Sequence, residues 1–213
     1  MNSRTTRPRT TPVDLPMPDT ATRFDRAYFD RFYRHPDTRA ASEYDAEIEA
    51  QFVAAYLRHL DVEVQRIVDI GCGLGRMLNA LAGLFPGAVV HGVDSSDYLC
   101  RTYGWEQAAL PDFAPGRPFD LVVCQDVLAY LDDSEAATAV VTLGRIARKA
   151  LYFGALAAED LALCNPARTD TDVYLRPASW YRRRLGRRFE PVGGGLWLKK
   201  PVDAVIWTLD RRI

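Results

Sequence analysis

A short glycine-rich segment, preceded by an acidic residue, carries the clearest chemical signal in the sequence. Asp69 stands two residues before Gly71, and Gly73 and Gly75 follow at alternate positions. Glycine lets the backbone turn tightly and lets a ligand approach without a Cβ atom in the way. The pyrophosphate-binding pattern G-x-G-x-x-G needs its third glycine at position 76, where this chain has Arg76. Because an acidic side chain repels pyrophosphate, the segment favours a ligand with an ammonium or sulfonium group over a nicotinamide dinucleotide.

A second acidic residue, Asp94, lies 21 residues after Gly73, at the end of the next predicted strand. A carboxylate in that position accepts hydrogen bonds from ribose hydroxyl groups in nucleotide-binding folds. A glycine motif alone is weak evidence. Asp69, the glycines and Asp94 together, all at predicted strand ends, are stronger evidence for a nucleoside ligand that carries a positive charge.

The elements that must position these residues alternate between strands and helices. The predicted strands are Arg66–Ile70, Ala88–Val93, Trp105–Leu110, Leu121–Cys124 and Leu151–Leu156. Between them, apolar spacing predicts helices over residues 77–85, Ser96–Tyr103 and Ser134–Lys149. This alternation predicts a parallel sheet with helices on both faces.

The C-terminal part departs from that alternation. A helix predicted at Ala178–Leu185 is followed by two strands, Phe189–Leu198 and Ala204–Leu209. Two strands so close in sequence are expected to form an antiparallel hairpin.

The N-terminal residues divide into a tail and a helical region. Residues 1–20 contain four prolines among Thr, Ser and Arg, and they are predicted to be a disordered tail. Residues 21–62 are predicted to form two helices, the second of them capped by Ser42. One face of the first helix is aromatic and comprises Phe24, Tyr28, Phe29, Phe32 and Tyr33. This stripe either packs on the sheet or covers the ligand as a lid, and both interpretations stay open.

Composition argues against several classes of function. The chain has 27 Lys and Arg against 28 Asp and Glu, whereas a dedicated nucleic-acid binder usually carries a basic excess. No apolar run reaches the roughly 18–20 residues that cross a bilayer, so no membrane association is expected. The four cysteines form no C-x-x-C pair and the histidines are scattered, so no metal site is predicted. Dispersed thiols favour a reducing, cytoplasmic location.

Three segments resemble motifs of a known enzyme family. Val68–Arg76, Val89–Ser95 and Phe119–Leu131 resemble the first, second and fourth motifs of the class I S-adenosylmethionine-dependent methyltransferases. The resemblance covers the chain from about Gln65 to Leu156. It implies an α/β, Rossmann-like fold with a seven-stranded mixed sheet in the order 3-2-1-4-5-7-6 and strand 7 antiparallel. Helices would lie on both faces of the sheet, with the N-terminal helices as additions.

The resemblance also assigns residues within the expected methyltransferase domain, residues 63–213. With S-adenosylmethionine as cofactor, it places Asp69, Gly71, Cys72, Gly73 and Gly75 around the methionine part, Asp94 and Ser95 at the ribose, Ala109 and Leu110 at the adenine, and Cys124 and Gln125 at the mouth of the cleft. The adenine contacts would be made by backbone and apolar surface only. Many relatives have Glu-His where this chain has Ala129-Tyr130.

The expected reaction is an in-line displacement from a sulfonium, whose leaving group is already activated. Positioning of the reactants supplies about 7–11 kcal/mol in such reactions, so a catalytic triad is not required. A base is needed only if the acceptor must lose a proton early. No catalytic residue is assigned, and Asp126 and Tyr130 are the candidates. Asp126 is also suited to cap the next short helix, which is the favoured interpretation.

A small-molecule acceptor is predicted by default. The Asn/Asp-Pro-Pro-Tyr/Phe motif of enzymes that methylate amides and adenine amino groups is missing, since the chain has Cys124-Gln125-Asp126-Val127 there. The candidate substrate-binding residues are Tyr28, Tyr33, Tyr174, Arg176 and Trp180. One alternative is an RNA-modifying methyltransferase that uses the arginine cluster in residues 182–188, which is otherwise a solvated helix face. Another is a non-catalytic cofactor-binding or scaffold protein with the same fold.

Overall fold

A seven-stranded sheet forms the centre of the computed structural model, which describes residues 23–206. Its strands are β1 (Arg66–Ile70), β2 (Val89–Asp94), β3 (Glu106–Gln107), β4 (Phe119–Gln125), β5 (Ala147–Gly154), β6 (Phe189–Gly193) and β7 (Leu196–Lys199). The spatial order is β3-β2-β1-β4-β5-β7-β6. Strands β1 to β5 pair in parallel, and β7 is antiparallel to both of its neighbours. The predicted fold class and strand order are confirmed.

Six α-helices accompany the sheet in the described residues. They are α1 (Arg26–Phe29), α2 (Glu43–His59), α3 (Arg76–Leu84), α4 (Asp97–Tyr103), α5 (Asp133–Ile146) and α6 (Ala178–Leu185). One π-helical turn, Asp30–Arg34, continues α1. Ser42 caps α2 as predicted, because its hydroxyl accepts a hydrogen bond from the Asp45 backbone N–H. Within residues 23–206, none of the helices combines the length and apolar character needed to cross a membrane.

The core follows from the alternation of side chains along the strands. Leu121 and Val123 of β4 point to one face of the sheet, where they pack in a cluster with residues of α2 and α3. Val122 and Cys124 point to the other face, where they pack with residues of α5 and α6. Helix α2 therefore belongs to the buried core, whereas α1 lies at the carboxyl end of the sheet with a separate aromatic cluster.

Of the first five predicted strands, the third and fifth differ most from the structure in their limits. β3 is confined to Glu106–Gln107, because Pro111 lies in a 3₁₀ turn at Leu110–Asp112 that ends the extended segment. β5 begins at Ala147, directly after α5, and ends at Gly154. Arg148 near its start reads as helix surface in the sequence, but its guanidinium pairs with the buried Asp120 beside β5.

The predicted C-terminal hairpin is wrong in its position. A turn of three glycines, Gly193, Gly194 and Gly195, divides the stretch that was expected to be one strand. All three have positive φ, at 95°, 54° and 79°, which glycine adopts without steric cost. The hairpin is therefore β6–β7, and residues 204–206 form no strand. The remainder of the expected last strand and the predicted tail at residues 1–20 lie outside the described residues.

Trp105 packs between β2 and the glycine-rich turn and contacts both. Its indole N–H donates a hydrogen bond of 3.0 Å to the Gly73 carbonyl. Its ring lies directly against Gly92 of β2 and Gly75, where an added Cβ atom would come within 2.6 Å of ring carbons. The indole therefore fits here only because these two residues have no side chain.

We predict that Gly92→Ala destabilises the protein by about 1–3 kcal/mol, because the new methyl group overpacks the Trp105 ring. The matched control is Gly83→Ala in α3, where an added Cβ meets nothing within 4 Å. That change is expected to stabilise the protein by about 0.5–1 kcal/mol through lower backbone entropy. Urea unfolding of both variants measures the two free energies, and equal effects would contradict the proposed contact.

Candidate functional site

A cavity opens at the carboxyl ends of β1, β2 and β4, where the order of the strands reverses. This switch point is where open α/β sheets bind ligands. The space, which we call the first cavity, has an empty volume of about 680 Å³ including its open mouth. Gly71, Gly73, Asp94 and Ser95 contribute one wall, and residues 24–33 contribute the opposite wall.

The glycine-rich turn between β1 and α3 presents backbone to this cavity. Gly71, Gly73 and Gly75 have φ values of 69°, 55° and 74°, so each needs the left-handed conformation. The Gly71 N–H donates to the Val93 carbonyl at 2.8 Å, which ties the turn to the end of β2. An added Cβ at Gly73 would approach only Tyr33, at 3.9 Å, so this point of the turn leaves room for a ligand.

Asp94 joins the two loops that border the first cavity. Its carboxylate accepts hydrogen bonds of 2.9 Å from the backbone N–H groups of Gly73 and Ser96. The residue is only 6% exposed. Burial raises the pKa of the carboxyl, while the hydrogen bonds from Ser96 and Gly73 act in the opposite direction. The loop ends are thus held by a buried acid that also borders the cavity.

Asp69 is the second buried acid, at a position in β1 next to the turn. It is 4% exposed, and within residues 23–206 its carboxylate forms no hydrogen bond or ion pair. Burial and the nearby charge of Asp94 raise the pKa of Asp69 to about 8. A buried carboxylate without a partner is costly, and a cation in the adjoining cavity lowers that cost.

The structure separates the cofactor-binding residues implied by the sequence into two groups. Those that border the first cavity are Gly71, Gly73, Asp94, Ser95, Ala109, Leu110 and Gln125. Those that lie behind it are Asp69, Cys72, Gly75 and Cys124. Burial raises the pKa of both the Cys72 and the Cys124 thiols, so they remain neutral packing groups. Gly75 starts α3 and contacts Trp105.

The aromatic N-terminal segment covers the first cavity. Phe24, Tyr28, Phe29 and Tyr33 border it. The segment is anchored at one end by the Ser96 hydroxyl, which donates to the Phe24 carbonyl at 2.5 Å. Phe24 and Phe29 also pack against buried Leu99 of α4. These rings therefore pack against the domain and also border the first cavity, and the interpretation of the segment as a lid stays a prediction.

A second cavity adjoins the first and has an empty volume of about 950 Å³, again including open solvent. Tyr28, Tyr33, Asp126 and Tyr130 border both cavities. The other polar residues of the second cavity come from the segment after β5 and include Asp160, Cys164, Arg168, Thr169 and Asp170. The sequence predicted substrate-binding residues at positions 174–180, whereas the residues that border this cavity lie just before them, at positions 160–173.

Tyr174, Arg176 and Trp180, which were predicted to bind the substrate, border neither of these cavities. Arg176 is 3% exposed, and its guanidinium donates to the carbonyls of Leu128 at 2.8 Å and Leu131 at 2.5 Å. Trp180, a residue of α6, is buried in the core. The backbone N–H of Tyr174 donates to the Ala129 carbonyl at 2.7 Å. These residues support the turn after β4, whereas Tyr28 and Tyr33 do reach the cavities.

Asp126 does not cap a helix, so the favoured interpretation is wrong. The 3₁₀ turn Leu128–Tyr130 begins after Val127 without a side-chain cap. Asp126 instead has a φ of 57°, and its N–H donates to the Gly154 carbonyl at 2.9 Å. Its side chain reaches solvent in the cavities yet is surrounded by protein, and this burial raises the pKa of the carboxyl. The negative charge of Glu49 acts in the same direction, and a hydrogen bond from the Leu156 backbone opposes it.

Tyr130 and Tyr28 form a pair at the boundary of the two cavities. Their hydroxyl oxygens are 2.8 Å apart. Arg23 lies over the Tyr130 ring at 5.1 Å and pairs with Asp170 at 2.9 Å. Burial raises the pKa of both tyrosines, so their hydroxyl groups stay protonated at neutral pH.

The arginine cluster lies at α6 and the turn that follows it. Arg184 stacks on the Trp180 ring at 3.9 Å, and the stem of Arg188 packs against Gly144 of α5. The guanidinium of Arg184 and the stem of Arg188 thus both cover surface of this protein, which agrees with a solvated helix face. In the described part of the chain, no group of three or more His, Cys, Asp or Glu residues is arranged to hold a metal ion.

Comparisons with known proteins agree with this geometry. A family model described as a methyltransferase domain matches residues 68–148. Trans-aconitate 2-methyltransferase from Pseudomonas aeruginosa strain UCBPP-PA14 is 32% identical over 155 residues, which are 70% of this chain and 50% of that protein. Residues 68–148 therefore form a methyltransferase domain of the class I, S-adenosylmethionine-dependent type.

Two further proteins show how far the similarity extends. Ubiquinone biosynthesis O-methyltransferase from Methylococcus capsulatus is 33% identical over 109 residues, 45% of this chain and 44% of that one. The structure of magnesium protoporphyrin IX methyltransferase from Synechocystis PCC 6803 with bound S-adenosylmethionine has a TM-score of 0.59 and 20% identity, and it covers 84% of this chain and 95% of that chain. This chain spans about half the length of the curated relatives, so its acceptor must be argued from its own residues.

The class I methyltransferase cofactor, S-adenosylmethionine, fits the residues of the first cavity. Its ribose hydroxyls match the carboxylate of Asp94, which borders the cavity and keeps lone pairs beyond its two backbone hydrogen bonds. The backbone at Gly73 leaves room for close approach. The positive charge of the cofactor compensates the buried carboxyl groups of Asp69 and Asp94.

We predict that S-adenosylmethionine binding releases a proton at pH 7. Asp69, whose pKa is raised to about 8, is largely protonated without ligand, and the cationic cofactor favours its ionised form. The apparent affinity should therefore rise with pH towards about 8 and then level off. Calorimetry at pH 7 in buffers of different ionisation enthalpy measures the release. Asp69→Asn should abolish it, and a buffer-independent enthalpy in the unaltered protein would refute this assignment.

Arg176 is predicted to act in stability rather than in binding. Arg176→Met leaves the Leu128 and Leu131 carbonyls without their donor and should cost on the order of 3 kcal/mol. The control is Arg168→Met, an exposed arginine of the second cavity, which should change stability by less than about 0.5 kcal/mol. Denaturant unfolding compares the variants. A stable Arg176→Met protein that had lost only acceptor affinity would restore the original interpretation.

Proposed function

We propose that the protein transfers the methyl group of S-adenosylmethionine to a small molecule held in the second cavity. The observation that supports this most strongly is the pair of adjoining cavities that share Tyr28, Tyr33, Asp126 and Tyr130. A methyl group passes between two bound molecules only where their sites meet. The shared residues mark that meeting point, at the carboxyl edge of the sheet.

The bound cofactor would supply an activated methyl group on a sulfonium. The chain's own residues would do the positioning. Asp94 holds the glycine-rich turn and the β2–α4 turn at a fixed separation. The aromatic residues of the N-terminal segment border the first cavity and line it with apolar surface. In reactions of this kind, holding the reactants in line supplies about 7–11 kcal/mol, which is enough to make a dedicated nucleophile unnecessary.

Several observations favour a small acceptor over a macromolecule. The second cavity is walled by the N-terminal segment on one side and by residues 160–173 on the other, so it is a pocket rather than an extended groove. The names of the relatives, trans-aconitate 2-methyltransferase and ubiquinone biosynthesis O-methyltransferase, point in the same direction. A cytoplasmic location is part of the proposal, because all four cysteines carry free thiols. The RNA-modifying alternative rests only on the arginine cluster.

Binding of the cofactor is tested first. We expect calorimetry to show binding of both S-adenosylmethionine and S-adenosylhomocysteine, and Asp94→Asn to weaken each at least about tenfold through loss of charge-assisted hydrogen bonds. Asp97→Asn is the matched control, because Asp97 lies three residues along, is paired with Arg101 on the surface of α4, and lies outside the first cavity.

Transfer itself is measured with a radiolabelled methyl group and pooled metabolites. Label should enter small molecules and not bulk RNA. Absence of binding to either sulfur compound would defeat the proposal, and label in RNA would replace it with the RNA-modifying alternative.

A further inference from the structure

The boundary between the two cavities has a chemical character that neither cavity shows alone. Three tyrosine rings and one carboxylate compose it. Among residues 23–206, Asp126 is the single charged side chain that borders both cavities, since Asp94 borders the first and Asp160, Arg168 and Asp170 border the second. The atom to be methylated must therefore lie close to Asp126.

The tyrosines at this boundary do not offer a base. The hydroxyl groups of Tyr28 and Tyr130 are engaged with each other at 2.8 Å. All three shared tyrosines are protonated at neutral pH, because burial raises their pKa. Their rings, in contrast, provide π faces, and the guanidinium of Arg23 already lies over one of them, that of Tyr130. Aromatic faces beside a carboxylate form a surface that attracts cations.

Other charges in the second cavity do not change this character. Asp170 is paired with Arg23 at 2.9 Å, so its charge is compensated. Asp160 and Arg168, of opposite sign, both lie away from the boundary, on the wall formed by residues 160–173. An acceptor carboxylate at the boundary would meet the charge of Asp126 directly, and like charges at short distance repel.

Resting on the proposed function, we infer that the acceptor atom is an amine nitrogen and that the Asp126 carboxylate binds it and accepts its proton. The ammonium form is drawn to the carboxylate and the aromatic faces, and its free base is the nucleophile. One N–H proton of the ammonium first passes to the Asp126 carboxylate, which frees the nitrogen lone pair. The lone pair then forms the N–CH₃ bond, the electron pair of the broken S–CH₃ bond stays on sulfur, and the product is an N-methylammonium group.

The backbone conformation at Asp126 is compatible with substitution by asparagine. Its φ of 57° lies in the left-handed region, which asparagine tolerates as well as aspartate does. Asp126→Asn should therefore fold, and unchanged affinity for S-adenosylhomocysteine would verify this. Asp160→Asn is the matched control, since it removes a carboxylate from the same cavity away from the boundary.

The test uses the full chain saturated with S-adenosylhomocysteine, which fills the first cavity without allowing turnover. Benzylammonium and benzoate are the probes, because they share a ring and differ in charge. We expect benzylammonium to bind at least about fivefold more tightly than benzoate, because aromatic faces attract cations. Asp126→Asn should remove this preference and Asp160→Asn should keep it. Equal binding, preference for benzoate, or no measurable binding of benzylammonium would overturn the inference.

Two further measurements separate this inference from its rivals. If Asp126 served the sulfonium instead, Asp126→Asn would weaken S-adenosylmethionine but not S-adenosylhomocysteine, and the assignment to the acceptor would fall. In methyl-transfer assays, label should enter amines, with a loss of roughly a hundredfold in Asp126→Asn. Label that enters carboxylates or hydroxyl groups but not amines would also overturn it. Failure to bind S-adenosylhomocysteine would instead refute the proposed function itself.

Discussion

The geometry of the cofactor cleft depends on the hydrogen bonds that the Asp94 carboxylate accepts. It is buried, and it accepts hydrogen bonds from the backbone N–H groups of Gly73 and Ser96, which belong to loops after different strands. A buried charge is tolerated only when hydrogen bonds or a counter-charge replace its water shell. The two N–H groups replace part of that shell, and in doing so they set the distance between the loops. The glycine-rich turn and the start of α4 are therefore positioned by a group that borders the first cavity.

The rest of the cleft places further acidic groups in an apolar surrounding. Asp69 lies behind the turn without a partner among the described residues, and Asp126 stands at the boundary with the second cavity. Burial raises the pKa of both carboxyl groups. The aromatic side chains of the N-terminal segment add apolar surface at the first cavity, and the low dielectric of such a surface strengthens this effect. Burial of these acidic groups lowers the stability of the ligand-free protein. A positively charged ligand offsets this loss when it binds. Such a loss of stability is common at functional sites.

Much of this architecture was predictable because it depends on local pattern. The short apolar runs, the alternation with helices and the spacing of Gly71, Gly73 and Asp94 all reflect contacts within one strand–turn–helix unit. The glycine turn of the β6–β7 hairpin was missed because three glycines within an apolar stretch read as part of a strand.

Residues whose contacts depend on distant parts of the chain were harder to interpret from the sequence. Arginine is a residue type that often binds substrates. Arg176 instead donates to the carbonyls of Leu128 and Leu131, which lie more than 40 residues earlier in the sequence. Asp126 resembles a helix cap, but its backbone is fixed by pairing with Gly154 at the end of β5. The second cavity was located only approximately, because residues 160–173 reach it through irregular structure that has no periodic signal. Long-range hydrogen bonds leave no such pattern in a single sequence.

The two cavities are also joined mechanically, through Arg23. Its guanidinium pairs with Asp170, donates to the Asp172 carbonyl at 2.6 Å and lies over Tyr130. One end of the N-terminal cover is thereby fastened to the wall of the second cavity, while the Ser96–Phe24 hydrogen bond fastens it to the first. Displacement of this segment from the first cavity would break contacts that shape the second. The contacts of Arg23 therefore make the shape of one cavity depend on the shape of the other.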